Sequence, residues 1–401
     1  MRTTWNFQTA GQLIFGGGAI KRLPAWLSRH QLGRVLVVTD PILVNVGILQ
    51  QVIEQLPTAQ FTVQAFQEGE AEPALRTALR LIDQAAAFQP DVIIGLGGGS
   101  NMDLAKIAAN VITHGGSPRD YFGWDQVPGP ILPLVCIPTT AGTGSEVSHA
   151  AVLTDTDNHL KVSTLSPYLR PALALVDPEL TYTCPERVAA DSGIDALTHA
   201  IEAYTATDFS ELPLAEGETS AYEGSSPLGA CLAERAIELI GQHLIPAVQS
   251  GKNREARNAM ALAATTAGIA FSNCAVAVVH ALEYPMGAVL HCSHGAGNGL
   301  LLPHVMRYNL PTRLHQFAKI ASLLGEDTSG LSLEAAAERA IVAVDKLRAA
   351  IGIPGRIRDL GGTREQLPGF ADKAFSIKRL MMMNPRQPTA HDLLQILEAA
   401  F

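Results

Sequence analysis

Asp91-Val-Ile-Ile-Gly-Leu96 runs without a break into Gly97-Gly98-Gly99-Ser100 and then into Asn101-Met-Asp103-Leu-Ala-Lys106-Ile-Ala-Ala. An apolar run of strand length, a glycine turn and an Ala-rich helix start form one strand–turn–helix unit. The glycines let a backbone approach a pyrophosphate closely, and the amides and dipole of the helix start favour its negative charge. The motif departs from G-x-G-x-x-G, because Ser100 holds the last position of Gly95-x-Gly97-x-x-Ser100. A glycine turn that binds nothing is the competing reading of one such loop taken alone.

The same theme repeats on both sides. Arg34-Val-Leu-Val-Val-Thr-Asp40 stops at Pro41 and leads into a helix-like segment over 48–56, residues 131–137 end at Pro138, and 172–176 end at Asp177-Pro178. Continuous apolar strands alternating with helical patterns predict a parallel sheet covered on both faces. Beyond about residue 185 the texture changes, and 191–204, 228–240, 255–270 and 333–350 carry Ala, Leu and Ile at helical spacing. The chain is therefore read as an α/β domain over 1–180 and an all-α domain over 181–401, with a ligand favoured at their interface.

Two further nucleotide signals lie at strand ends. Asp40 is placed to accept from an adenosine ribose and to repel a 2′-phosphate, favouring NAD over NADP, although a plain helix cap is an equal reading. Pro138-Thr139-Thr140-Ala-Gly142-Thr143-Gly144-Ser145-Glu146 packs hydroxyls and flexible amides after a strand, as a dinucleotide requires.

Metal-ligating residue types appear in the second half. Asp195 and His199 are four apart on one helix face, a spacing that suits one metal or a simple ion pair. His280 sits in an otherwise apolar run and His294 in Cys292-Ser-His294-Gly, with His291 and His304 as neighbouring candidates. One Asp with three His and no Cys favours Fe(II) or Zn(II) over Ca(II) or Mg(II).

Composition bounds the partner. The 401 residues are 47% hydrophobic and 17% charged, so the chain can bury a core and is not disordered. With 38 acidic against 29 basic residues and no basic block, neither nucleic acid nor an anionic membrane is expected, and a small molecule is. Five scattered cysteines suggest buried thiols in a reducing cytoplasm; no apolar leader or membrane-length run is read. Segment 207–226 carries five acids (Asp208, Glu211, Glu216, Glu218, Glu223) without Lys or Arg and is expected to be an exposed, solvated loop, with a lid as the alternative.

Taken together, these motifs resemble the iron-dependent (group III) alcohol dehydrogenases. Gly97-Gly-Gly-Ser-x-x-Asp103-x-Ala-Lys106 is similar to one family motif and 138–146 to another. Gly193-x-Asp195-Ala-x-x-His199-Ala-x-Glu202, the His280–His294 pair and Asn384-Pro-Arg386 follow in the family's order. The resemblance implies a dehydroquinate synthase-like architecture, with a cleft between a dinucleotide domain and a helical metal-binding domain. It implies Fe(II), with Zn(II) as the alternative, on Asp195, His199, His280 and His294. It implies NAD on Asp40, Gly98, Gly99, Ser100, Asp103, Thr139, Thr140, Thr143 and Lys161. It further implies an alcohol or aldehyde substrate and a homodimer or larger assembly through the Leu13-Ile-Phe-Gly-Gly segment. Family members usually carry a further His where this chain has Tyr284, so Tyr284 and His291 are the candidates for handling the proton. Tyr284 and the 221–227 stretch also resemble the hydroxyacid–oxoacid transhydrogenase branch, whereas Asn298-Gly-Leu-Leu-Leu-Pro-His304 is similar to ordinary alcohol dehydrogenases. Transhydrogenation with a tightly held cofactor is thus the alternative activity.

Overall fold

The computed structural model describes residues 2–155, 160–214, 218 and 220–401. These divide into two compact units, Gln8–Cys184 and a second made of Pro185–Phe401 with the N-terminal residues to Phe7.

The first unit is built on a six-stranded sheet. Its order is Leu13–Phe15, Leu173–Val176, Leu134–Pro138, Val92–Gly97, Arg34–Val38 and Thr62–Phe66, and every neighbouring pair is parallel. Strands Val92–Gly97 and Leu134–Pro138 are buried along their whole length, which is why they read as continuous apolar runs rather than alternating ones. One face packs on helices Leu75–Phe88 and Gly99–His114 around Phe66, Leu81, Ile93 and Met102. The other packs on Leu23–Arg29 and Ile48–Ile53 around Leu27, Val37, Ile94 and Ile137. From Arg34–Val38 the chain first builds the edge strand Thr62–Phe66, then crosses back to Val92–Gly97 on the other side. That reversal of strand order opens a crevice at the carboxyl ends of Arg34–Val38 and Val92–Gly97, the usual ligand position in open α/β sheets.

A second sheet, Gly123–Trp124, Leu160–Leu165 and Ala150–Asp155, is an addition to the sequence reading. Ala150–Asp155 alternates between buried and half-buried residues, so no continuous apolar run announces it.

The second unit is helical. Glu186–Thr205, Pro227–Gln249 and Arg254–Asn273 extend the segments recognised by periodicity, and Leu333–Ala350 has the bounds read there. Val278–Leu290 and His294–Asn309 are additions to the segments read from periodicity, and Pro285 and Pro303 lie inside them. An internal proline removes one backbone donor and normally signals a break. Both helices are nevertheless held by burial, with Val279, Leu282, Leu300 and Leu301 fully enclosed. Among the described residues no single helix is long and apolar enough to cross a membrane.

Two expectations are corrected. Segment 207–226 is not a solvated loop where it is described: Leu212, Tyr222, Glu223, Gly224 and Ser226 are buried. The amides of Glu223 and Gly224 donate to the carbonyls of Asn273 and Cys274, and Glu223 pairs with Arg2 and accepts from Asn6. Asp208 is paired as well, 3.5 Å from Arg313, so two of these carboxylates meet an arginine from elsewhere in the chain; Glu216 lies outside the described residues. Of the five cysteines only Cys136 and Cys274 are buried, and Cys231 is exposed, while no disulfide forms among the described residues.

Candidate functional site

The nucleotide signals converge at the crevice of the six-stranded sheet. Gly97 ends its strand at φ +146°, and a Cβ there would lie 2.2 Å from the Asn101 amide nitrogen, so only glycine fits. Gly98 faces Thr140, with a Cβ position 3.6 Å from its Oγ1, and Gly99 faces Thr143 at 3.0 Å from its Cγ2. Two loops distant in sequence thus meet at the start of helix Gly99–His114, whose first amides lack helical partners. The Thr139 amide donates to Gly97 O, which continues the sheet pairing past the strand end.

Asp40 closes the other side. Its Oδ1 accepts from the amides of Ile42 and Leu43, and its Oδ2 from Asn101 Nδ2 at 2.8 Å. It is therefore a helix cap that is also tied to the glycine helix. Ser100 Oγ accepts from the Glu72 amide, and Lys161 pairs with the Glu72 carboxylate at 2.7 Å, so these two residues share one neighbour. Asp103 accepts from Ser145 Oγ at 2.7 Å and from the Val152 amide at 2.9 Å. Burial raises its pKa, against the pull of Lys106.

The metal candidates meet in the helical unit. Asp195 comes from Glu186–Thr205, His280 from the first turn of Val278–Leu290, and His294 is the first residue of His294–Asn309. One ligand atom from each lies within 4.8 Å of the others. His280 Nε2 and His294 Nε2 stand 3.9 and 3.8 Å from Asp195 Oδ1. The Asp195 and His280 side chains are 3% and 2% exposed, but that of His294 is 33% exposed, so the cluster opens on the His294 side.

What faces these imidazoles decides their chemistry. His280 Nδ1–H donates to Glu202 Oε2 at 2.6 Å, and His294 Nδ1–H donates to Glu283 Oε2. A carboxylate on Nδ1 fixes the tautomer and turns the Nε2 lone pair inward, the arrangement of metal-binding histidines. Glu202 also accepts from the amides of Ala277 and Val279, capping the helix that carries His280. Asn298 Nδ2 lies 2.8 Å from Asp195 Oδ1, 3.2 Å from His280 Nε2 and 3.1 Å from His294 Nε2. An amide nitrogen has two hydrogens for these three acceptors, and Asn298 Oδ1 is buried without a partner among the described residues. Such a surplus of convergent lone pairs, with three buried carboxylates around two imidazoles, fits a divalent cation. Burial pushes the Asp195 carboxyl up, but His199, His294, His280 and the Asn298 amide together hold it below its ordinary value.

His199 is placed beside the three-residue group. Its ring stacks between Phe271 and His280 at 4.2 and 4.8 Å, with Nδ1 3.8 Å from Asp195 Oδ2. Tyr284 stacks on His294 at 6.0 Å and meets His280 edge-on, and burial raises its phenol pKa, with Tyr222 adding to the rise. Tyr222 comes from segment 207–226, so that segment lines this region. His291 is an exposed helix cap at φ 52°, and His304 lies further along its helix, outside the group.

Glu202, Glu283, Asn298 and Tyr222 had no assigned role in the sequence reading. A carboxylate three residues after each of His199 and His280, one of them in a nearly apolar run, was the available signal.

Residues 10–178 match the family model described as iron-containing alcohol dehydrogenase, and 218–401 match its C-terminal counterpart, described as Fe-containing alcohol dehydrogenase family, C-terminal. The NAD-dependent methanol dehydrogenase of Bacillus methanolicus is 36% identical over 395 residues, covering 98% of this chain and 99% of that one. The 1,3-propanediol dehydrogenase of Klebsiella pneumoniae is 36% identical over 373 residues, 92% and 91% of the two chains. Among solved structures, a 1,3-propanediol oxidoreductase superposes with a TM-score of 0.93 at 34% identity, covering 100% of both chains. The alcohol dehydrogenase of Oenococcus oeni gives 0.92 at 30%, covering 99% of this chain and 100% of that one.

Proposed function

From the premise that this chain belongs to the iron-containing alcohol dehydrogenase family and is an NAD-linked, metal-assisted oxidoreductase interconverting alcohols and aldehydes, we propose a substrate class and a role for each site residue. The substrate is a short primary alcohol or diol, or the matching aldehyde. Support comes from relatives named for methanol and 1,3-propanediol.

Asp195, His280 and His294, completed by His199 one helical turn beyond Asp195, are the proposed metal ligands. Asp40, Gly98, Gly99, Ser100, Asp103, Thr139, Thr140, Thr143 and Lys161 are proposed to bind NAD or to shape its loops. With both groups bound, a divalent metal supplies Lewis acidity toward the alcohol oxygen and NAD supplies the hydride acceptor. The chain's own residues do the rest. Glu202 and Glu283 hold the Nδ1–H tautomer of His280 and His294 and aim each Nε2 into the cluster, Tyr284 walls the open side at His294, and either Tyr284 or His291 passes the proton outward.

The observation that carries this reading is the convergence of Asp195, His280 and His294, each imidazole backed by a buried carboxylate. Metal-stripped protein should lose alcohol-dependent NADH formation and regain it with Fe(II), with Zn(II) as the comparison metal. Full activity without metal overturns the assignment. Turnover of a hydroxy acid with an oxo acid, without added NAD, would instead select the transhydrogenase.

The same reading extends to the setting. Strand Leu13–Phe15 is an edge of the sheet, with Leu13 and Phe15 39% and 37% exposed, and is proposed to pair with a second copy in a cytoplasmic homodimer or larger assembly. Light scattering on the protein and on its Leu13→Asp variant checks this.

A further inference from the structure

Lys106 belongs to the motif that follows the glycine turn, yet it is 0% exposed. Its Nζ lies 2.8 Å from Ser145 Oγ, 3.1 Å from Ser148 Oγ and 2.7 Å from Ala150 O. An ammonium has three N–H donors, and these three acceptors take them all, so none is left for a phosphate. Asp103, one turn earlier on the same helix and 3.9 Å from Nζ, accepts from Ser145 Oγ and from the Val152 amide. The Ser145 amide in turn donates to Thr143 Oγ1. Helix Gly99–His114 thus grips the stretch 145–152 with an acid and a base, and Ser145 joins that grip to Thr143. Thr143 is the residue that touches the Gly99 position.

We propose that Lys106 is a positioning residue for the dinucleotide: its buried ammonium clamps the threonine loop onto the glycine helix and so sets the spacing between the two loops assigned to NAD. The inference rests on that assignment. A buried charge is costly unless it is fully paired, and a lysine that merely filled space here would be replaceable by an apolar residue. Methionine matches the length of its stem and removes the clamp.

The test measures NADH dissociation constants by fluorescence on purified, metal-loaded protein. The variants are Lys106→Met, Ser145→Ala, their double and Gly99→Val. Lys106→Met is expected to weaken NADH binding about 10- to 100-fold, because a misplaced loop loses several contacts together. Turnover at saturating NAD and metal content should stay within about threefold of the unsubstituted protein. Ser145→Ala should weaken NADH in the same direction, and the double should lose less than the product of the two single losses, since the Lys106–Ser145 contact is shared while Ser145 also holds Asp103. NADH affinity unchanged in Lys106→Met, or a double whose losses multiply, overturns the proposal. Should Lys106→Met fail to fold, Ser145→Ala decides alone: unchanged NADH affinity overturns the clamp. Gly99→Val separates the two layers of the argument. If it too binds NADH normally, the loop assignment fails and the clamp fails with it; if it alone loses NADH, only the clamp is wrong.

Discussion

Replacing Glu202 by Gln tests whether the carboxylate behind His280 tunes a metal ligand or merely caps a helix. Glu202 is 4% exposed, and its two oxygens accept three hydrogen bonds. Oε2 takes the Ala277 amide and His280 Nδ1–H, while Oε1 takes the Val279 amide. Glutamine has the same shape but carries NH2 on one side. Its better orientation keeps the carbonyl oxygen on Ala277 and His280 and sets NH2 against the Val279 N–H. One buried amide donor then loses its partner, at about 1–3 kcal/mol, and the remaining bonds lose their charge assistance. Folding stability without metal should therefore fall by roughly 2 kcal/mol. Metal affinity should fall independently, because the imidazole becomes a poorer base and its orientation is less fixed. Loss of such a partner typically weakens a site about 10- to 100-fold, or roughly 1.4–2.7 kcal/mol. The assay is competition between the protein and a chelator for Zn(II), alongside denaturant unfolding of metal-free protein. A variant with lowered stability but metal affinity within about twofold of the unsubstituted protein would refute the reasoning and leave Glu202 as a helix cap.

Three other outcomes follow from the same structure. Asp40→Ser keeps a side chain that caps helices well, so stability should change by less than about 1 kcal/mol while preference for NAD over NADP declines. Unchanged coenzyme preference would reduce Asp40 to its cap. Asn110 is 0% exposed, and neither side-chain polar atom has a partner among the described residues, so Asn110→Leu should stabilise the protein by about 1 kcal/mol in thermal unfolding. A loss of stability would mean that the site holds water. Burial chiefly, with Arg348 and Arg307 adding, lowers the His304 pKa from 6.5. The unfolded chain then takes up that proton first as pH falls below 6.5, so this contribution to stability is present above 6.5 and lost as pH falls through the lower folded value. His304→Gln should flatten the decline in denaturant midpoint over that acid range, and an unaltered slope would refute the assignment.

The parts of this molecule that were legible in the sequence share one property: their signal is local. Val92–Gly97 with its glycines, and Asp195 with His199 one turn later, declare themselves within a few residues because strand burial, turn chemistry and helix spacing are short-range matters. The role of a carboxylate is not. Glu202, Glu283 and Glu223 look alike as letters, and an acid on a helix or in a polar loop is by default solvated. In the fold, Glu202 holds His280 and caps the helix that carries it, Glu283 holds His294 at 0% exposure, and Glu223 pairs with Arg2. Each role is fixed by a partner brought close by tertiary packing, 78 residues away for His280 and 221 for Arg2. The same holds for Lys106: its motif suggested phosphate chemistry, and only its three acceptors show that its charge is spent inside the protein. A motif therefore names the residues that surround a site, but which of them touch the ligand and which hold the others in place depends on where each donor and lone pair is already satisfied.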